Sequence, residues 1–580
     1  MKKIVLTCLA LFVCAADAEL GKTFNGAEVV SGEVLIKFKP GKKSVWVNKN
    51  LNWRIKDQAS VSFGELALIE VDEDKSLSAL DSLNSDPLIE YAEPNYLYRA
   101  INLYPAINAP KLFAVESLIS PLTPSDREYF TRNTPTDPKY GDLWGLENTG
   151  RNEPAGSRGN SSPRGVAGAD VNALAAWDIT KGSRQVKIAV IDTGVDYNHP
   201  DLKNNMWVNK AELNGTPGVD DDGNGYVDDI YGYDFANNDG DPMDGNGHGT
   251  HCSGTIAAEH DNGIGIAGVM AQAQIVGVKF LSDQGSGSTL DAVRAVDYAT
   301  KLNVDIMSNS WGGGGASQAL EEAIIKAKDA GIVFTAAAGN SATDNNSTPH
   351  YPSNYDVDNV ISVAAHNYND SLASFSCYGS KTVHVAAPGR NILSTTPGDS
   401  YAVYSGTSMA TPHVTGVVGL YVSQYGRTNV KALRDNLMAS SVYGRAYGKK
   451  TIGGGRVDAY NFLNHTVAPR PSEPDPSEWI SRPVVVESDH PYKNEEKFSR
   501  LLRVPGAKHI RVIVKKYDIE SNYDFLRIKN AKGEVIEALS GRGDDHVGEY
   551  VDGDSITLEF ESDGSVSRWG FLIEEIQYIP

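Results

Sequence analysis

A chain of 580 residues with a formal net charge of −21 is too long for one ordinary domain. It is also too acidic to present the clustered Lys and Arg that a phosphate backbone wants, which excludes nucleic acid as a partner. Apolar residues at 41% and a mean hydropathy of −0.33 exclude a membrane-embedded chain, and no segment after the N-terminus has the length of a membrane span.

In chain order, MKKIVLTCLALFVCAADAEL joins Lys2 and Lys3 to an apolar run from Ile4 to Val13 and an Ala16-Asp17-Ala18 cleavage signature. This predicts a secretory signal over residues 1–18 and an extracellular product. Val13 is too bulky for the usual lipobox before Cys14. Removing the signal leaves Cys252 and Cys377, too few for a disulfide scaffold, and their spacing leaves pairing open. Residues 19 to about 100 carry the strand-like runs GEVLIKFKP and LALIEV and the helix-like DKSLSALDSLNS, and end in IEYAEPNYLYRA, which predicts a small α+β unit. A Pro-punctuated connection open to cutting continues to residue 132.

From 133 to 465, apolar runs (VKIAVID, IVGVKF, DIMSNS, IVFTAAA, VISVAA, VHVAA) alternate with helical patterns such as SGSTLDAVRAVDYATKL and SQALEEAIIKAKDAG. The alternation predicts an α/β fold in three layers, a mainly parallel sheet buried between helices. Residues 466–480, VAPRPSEPDPSEW at their centre, form a Pro/Glu/Ser linker. Residues 481–580 read as strands (HIRVIVKKY, YDFLRIKN, SITLEFES, FLIEEI) broken by Gly and Asp, hence a β-sandwich.

In a sheet of this kind the reactive groups sit at the carboxyl ends of the strands. VKIAVIDTGVDYNHPDL delivers Asp192 there, DPMDGNGHGTHCSG delivers His248 at a helix start, and YSGTSMATPHVTGVVGLYV delivers Ser408 just before a helix whose first turn tolerates Pro412. A serine nucleophile needs a base for its proton, and the base needs a carboxylate to fix its tautomer. Singly, Asp192 is also an ordinary turn residue, Asn340 a helix cap and Ser408 an N-cap. Four motifs in one order outweigh those readings.

On AVIDTGVDYNHPDL, NGHGTHCSGT, SGTSMATPHVTG and FTAAAGNSA, residues from about 135 to 462 resemble the subtilisin-like serine proteases, which run Asp, His, Ser in this order. The resemblance implies the subtilisin-like three-layer fold and a serine endopeptidase acting on proteins or peptides. Ser408 would be nucleophile, His248 general base and then acid, Asp192 its orienting carboxylate, and Asn340 the side-chain donor of the oxyanion hole. SNSWGGGG resembles the edge strand that pairs with substrate backbone, so Ser310, Trp311, Gly312, Ala338 and Gly339 are expected to bind substrate, with a pocket wall near His350. His199 and His413 read as structural.

DPMDGNGHGTHCSG also packs His248, His251 and Cys252 together as a zinc site would. No second Cys/His cluster completes the shell and H-E-x-x-H is absent, so His251 and Cys252 read as packed neighbours of His248. Calcium fits the chain better. From Asp220 to Asp244 there are nine Asp and no Lys or Arg, and the expected ligands are Asp220, Asp222, Asn224 and Asp228.

Residues 31–98 resemble the N-terminal propeptides of secreted subtilases, which implies a self-processing zymogen inhibited by its own propeptide (residues 19–132), cut somewhere between about 100 and 136. The C-terminal stretch resembles CUB domains, with Glu520, Asp524 and Asp563 matching the acidic trio that binds calcium in many of them, although it has no cysteine where typical CUB domains carry disulfides. A protein or glycan ligand and a stabilising role stay open for it. A monomer is expected.

Overall fold

The computed structural model describes residues 22–50, 53–72, 75–101, 134–151, 165–470, 474–520, 523–533 and 535–580. The expected signal at 1–18 and the expected connection at 102–132 lie outside them.

The first unit pairs β1 (Ala27–Phe38), β2 (Arg54–Val61), β3 (Gly64–Glu70) and β4 (Ile89–Ala100) in the antiparallel order β4-β1-β3-β2. Helices α1 (Lys43–Lys49) and α2 (Ser76–Asn84) accompany the sheet, and Val34, Ile36, Trp46, Ile69 and Leu83 form a core of its own. This is the α+β unit expected from the sequence.

The central unit is built on β5 (Gly182–Asp192), β6 (Gly232–Asp234), β7 (Gln272–Lys279), β9 (Ile306–Asn309), β11 (Val333–Ala337), β12 (Val360–His366) and β13 (Val385–Pro388), all parallel to their neighbours. Two short strands, β14 (Val442–Tyr443) and β15 (Gly455–Arg456), extend the edge to give the order β14-β15-β13-β12-β11-β9-β5-β7-β6, with only the β14–β15 pair antiparallel. β9, β11, β12 and β13 are buried at every position. That is why they read as unbroken apolar runs.

Two cores follow, one on each face. Helices α3 (His248–Ala257) and α6 (Thr407–Tyr425) pack with Ile188, Val190, Ile275 and Val363, while α4 (Thr289–Lys301) and α5 (Gln318–Asp329) pack with Ile191, Val276, Met307 and Phe334. Leu35, Tyr96 and Tyr98 of the first unit join the second of these cores. Among the described residues no helix is long and apolar enough to cross a membrane.

The C-terminal unit is a sandwich of two antiparallel sheets. One holds Ile480–Glu487, Gly570–Ile579, His509–Ile519 and Gly541–Val547, the other Lys497–Arg503, Ser555–Glu561, Phe525–Lys529 and Val535–Leu539. Ile510, Val512, Leu526, Leu558 and Phe571 fill the space between them. It docks on the central unit through Arg445, which pairs with Asp552 at 2.5 Å and stacks 4.4 Å over Tyr550, and through Lys449 with Glu549 at 3.2 Å.

Candidate active site

Asp192 ends β5 and His248 begins α3. His248 Nδ1 lies 2.7 Å from Asp192 Oδ1, and both side chains are wholly buried. With Nδ1–H donated to the carboxylate, Nε2 is the free acceptor, and it is buried with no hydrogen-bond partner among the described residues. Asp192 Oδ1 also accepts the Thr193 N–H at 2.7 Å.

The close approach of helix to strand end depends on Gly249, where a Cβ would fall 2.0 Å from Gly194 O. Asp244 fixes that approach. Its buried carboxylate accepts from the Thr193 hydroxyl (2.9 Å), the N–H groups of Asn246 (2.9 Å) and Gly247 (2.8 Å), and both the N–H and hydroxyl of Thr250 (2.9 and 2.7 Å). The residue therefore caps α3 and ties it to the residue beside Asp192. Sequence reasoning quoted Asp244 but assigned it nothing. The signal was an Asp four residues ahead of a His that starts a helix.

Ser408 is the second residue of α6. Pro412 is inside that helix rather than at its mouth, a correction to the first-turn placement, and it leaves the Ser408 carbonyl without its helical partner. That carbonyl instead accepts from the Ser310 hydroxyl at 3.0 Å and the Cys252 thiol at 3.5 Å. Burial first, and Asp192 second, push the Cys252 thiol well above its usual range, so it stands as a neutral donor. Cys377 is buried and both cysteines are free, which answers the open question of pairing.

His251 is held neutral by burial, its pKa down at about 3, with Nε2 against the Ile392 and Ala402 carbonyls and its ring stacked 4.4 Å from Tyr404. His413, brought down to about 4 by burial, is bonded to Met409 O, and His199 to Ser400 O. Of these histidines only His248 is paired with a carboxylate, the others resting on backbone carbonyls.

The cleft is occupied by the first unit. Strand β4 runs antiparallel between β10 (Trp311–Gly313) and β8 (Ser286–Ser288), with Ala100 opposite Trp311, Arg99 opposite Gly312 and Leu97 opposite Ser288. The Ile101 carbonyl accepts the Ser408 hydroxyl at 2.7 Å and Asn340 Nδ2 at 3.0 Å, while the Ile101 N–H donates to Ser310 O at 3.4 Å. Asn340 is aimed there because its Oδ1 takes the Thr407 N–H and hydroxyl at 2.9 and 3.0 Å. The Ser408 hydroxyl is also 2.8 Å from Ser310 O, so its single proton is shared between two carbonyls rather than given to His248.

The expected substrate residues divide. Ser310, Trp311 and Gly312 meet the strand backbone, with Tyr98 edge-on to Trp311 at 5.2 Å. A Cβ on Gly312 would fall 2.2 Å from the His350 ring and one on Gly339 3.0 Å from it, so that imidazole, neutral with its pKa lowered by burial to about 4, is a wall between the two segments. Ala338 is buried in a cluster with Ala364, Cys377 and Tyr447.

Farther out, Glu93 of the first unit caps α5, accepting from the Ser317 hydroxyl and the Gln318 N–H at 2.7 Å each. Arg294 of α4 forks onto Asp57 with two contacts of 2.7 Å.

The acidic loop is ordered by its own backbone. Asp220 accepts the N–H groups of Gly223, Asn224 and Gly225, and Asp228 that of Gly218. Of the four expected ligands, Asp222 falls in a carboxylate group with Glu212 and Asp229, which the sequence reading did not include. Burial raises the Asp229 carboxyl to about 6. Asp229 is bridged to Asp222 by Asn209 Nδ2 and by Asn224 Nδ2, and Glu212 already accepts three backbone N–H groups. In the sandwich, Glu520, Asp524 and Asp563 do converge, their oxygens within 4.8 Å of one another.

Residues 183–462 match the model of the subtilase family, and residues 16–95 that of the fervidolysin N-terminal prodomain. The thermophilic serine proteinase of Bacillus sp. (strain AK1) is 33% identical over 464 residues, spanning 77% of this chain and 91% of that protein. Thermitase of Thermoactinomyces vulgaris is 41% identical over 298 residues (51% of this chain, 94% of thermitase), and subtilisin-like protease 1 of Plasmodium berghei (strain Anka) 36% over 312 (50% and 52%). The chain belongs to the subtilase family. It is a serine peptidase, a hydrolase of protein substrates that carries an N-terminal inhibitory prodomain.

Proposed function

We propose that the chain is a secreted serine endopeptidase that works through an Asp192–His248–Ser408 triad and an acyl-enzyme, and is made as a self-processing zymogen. The observation that carries this reading is the Ile101 carbonyl, held between the Ser408 hydroxyl and the Asn340 amide as a scissile carbonyl would be. Ser408 Oγ attacks the carbonyl carbon while His248 Nε2 takes its proton, the Asp192 carboxylate holding Nδ1–H and favouring the imidazolium. Asn340 meets the developing oxyanion. His248 then returns the proton to the leaving amine, and water, activated by the same nitrogen, hydrolyses the ester.

The domain plan of signal 1–18, propeptide 19–132, catalytic domain 133–465, linker 466–480 and CUB-like sandwich 481–580 belongs to the same reading, as does an extracellular, monomeric product. Calcium is its structural ion. Glu520, Asp524 and Asp563 present converging hard oxygen donors that suit it, and Asp222 with Glu212 and Asp229 would be a second holder. The test is hydrolysis of casein by the matured protein with and without a serine-directed fluorophosphonate. Abolition of activity with one label per chain is expected; a processed protein that neither cleaves casein nor takes the label refutes the enzyme.

A further inference from the structure

Strand β4 does more than cover the cleft, and its end identifies one bond. Antiparallel pairing on both sides fixes the register of Leu97 to Ala100 against β8 and β10, Ala100 N–H reaches Gly285 O at 2.9 Å, and Ile101 N–H reaches Ser310 O. In that register a single carbonyl, that of Ile101, meets both the candidate nucleophile and the amide donor. Tyr98 is wholly buried, and a Cβ on Gly314 would fall 2.7 Å from its ring, so the strand cannot slide by one residue without driving this ring out of its place.

We propose that the first self-cleavage of this chain breaks the peptide bond that follows Ile101, so that the initial product chains end at Ile101 and begin at Asn102. The inference rests on the serine-peptidase reading of the site and narrows the wide interval that the sequence left for the cut. In this step Ser408 Oγ bonds to the Ile101 carbonyl carbon and its proton passes to His248. The C–N bond to Asn102 breaks, the amine leaves with that proton, and a water molecule then splits the Ile101 ester to a carboxylic acid and free Ser408.

Two consequences follow. Residues 102–133 remain at the front of the catalytic chain after the first cut, so a chain beginning near Asn133 is a later product. The segment Tyr98-Arg99-Ala100-Ile101 is also the enzyme's own template for substrates: an extended chain with a branched aliphatic residue before the bond and an aromatic ring three residues upstream.

The experiment follows the freshly expressed full chain by intact mass and N-terminal sequencing over time, at two protein concentrations a hundredfold apart. The expected first pair of chains ends at Ile101 and starts at Asn102, at a rate that dilution leaves unchanged. An active, fluorophosphonate-reactive protein whose first new N-terminus lies elsewhere overturns the assignment. A chain that neither cuts nor takes the label overturns the enzyme reading instead. Ile101→Pro removes the N–H given to Ser310 and should keep the precursor intact at least about tenfold longer; an unchanged rate of cutting contradicts the proposal. Should that variant fail to fold, the synthetic peptide LYRAINLYP supplies the second readout. The mature enzyme should split it between Ile and Asn, and cleavage at another bond counts against the template.

Discussion

Replacing Asp244 with Asn keeps the side chain's shape and removes an acceptor where none is spare. Oδ1 serves the Thr193 hydroxyl and the N–H groups of Asn246 and Gly247, and Oδ2 serves the N–H and hydroxyl of Thr250. Whichever way the amide turns, its NH2 faces backbone donors that cannot accept from it: Thr250 on one side, Asn246 and Gly247 on the other. One buried donor left unmet costs about 1–3 kcal/mol. The loss falls on the turn that holds His248 against Asp192, since the Thr193 hydroxyl that Asp244 anchors also receives the Gly249 N–H at 3.0 Å. Urea unfolding of the variant in a Ser408→Ala background, where self-digestion is off, should show a lower midpoint with an unchanged slope. The same change in the active chain should lower kcat. If midpoint and kcat both stay at the parent values, Asp244 does not hold the site together.

Asn340→Ala removes the Nδ2 donor to the Ile101 carbonyl, and turnover should fall ~10²–10³ with KM little changed, the figure known for subtilisin stripped of its oxyanion amide; a fall below about tenfold would count against the assignment. Glu93 is pushed up to about 7 in the prodomain interface, by burial before anything else, against an ordinary value near 4.5. Protonation thus favours the complex, whose gain is full below about 4.5 and lost as pH rises through 7. Cut prodomain should leave more readily at pH 8 than at pH 5 in gel filtration, and Glu93→Gln should flatten that difference; a slope the variant leaves intact excludes Glu93 as its source. EGTA should speed heat inactivation of the mature enzyme, and an unchanged half-life would rule out structural calcium.

The sheet and its helices were legible because buried parallel strands leave unbroken apolar runs, and Val333–Ala337 or Val360–His366 has little other use. Asp192, His248, Asn340 and Ser408 were legible for a different reason: each stands in a motif whose glycines and small residues are demanded by close contact, as Gly249 against Gly194 makes plain. What stayed hidden depends on partners far off in sequence. Glu212 and Asp229 reach Asp222 only through the folded loop: nothing local marks Asp229 among nine aspartates, and Glu212 lies ahead of that run. Pro412 looked like a first-turn residue because the compensation for its missing N–H comes from Ser310 and Cys252. IEYAEPNYLYRA was read only as the end of the first unit, because its passage through the cleft as a strand is decided by pairing with Ser286–Ser288 and Trp311–Gly313, far away along the chain.

The central claim is that Ser408 cuts the very strand that lies across it. The full chain carrying Ser408→Ala, expressed alone, tests this most directly by the size of the accumulated protein. A precursor that keeps its prodomain covalently attached is expected, while wild type processed in parallel loses it. Maturation of the Ser408→Ala chain in isolation, at the wild-type position, would contradict it.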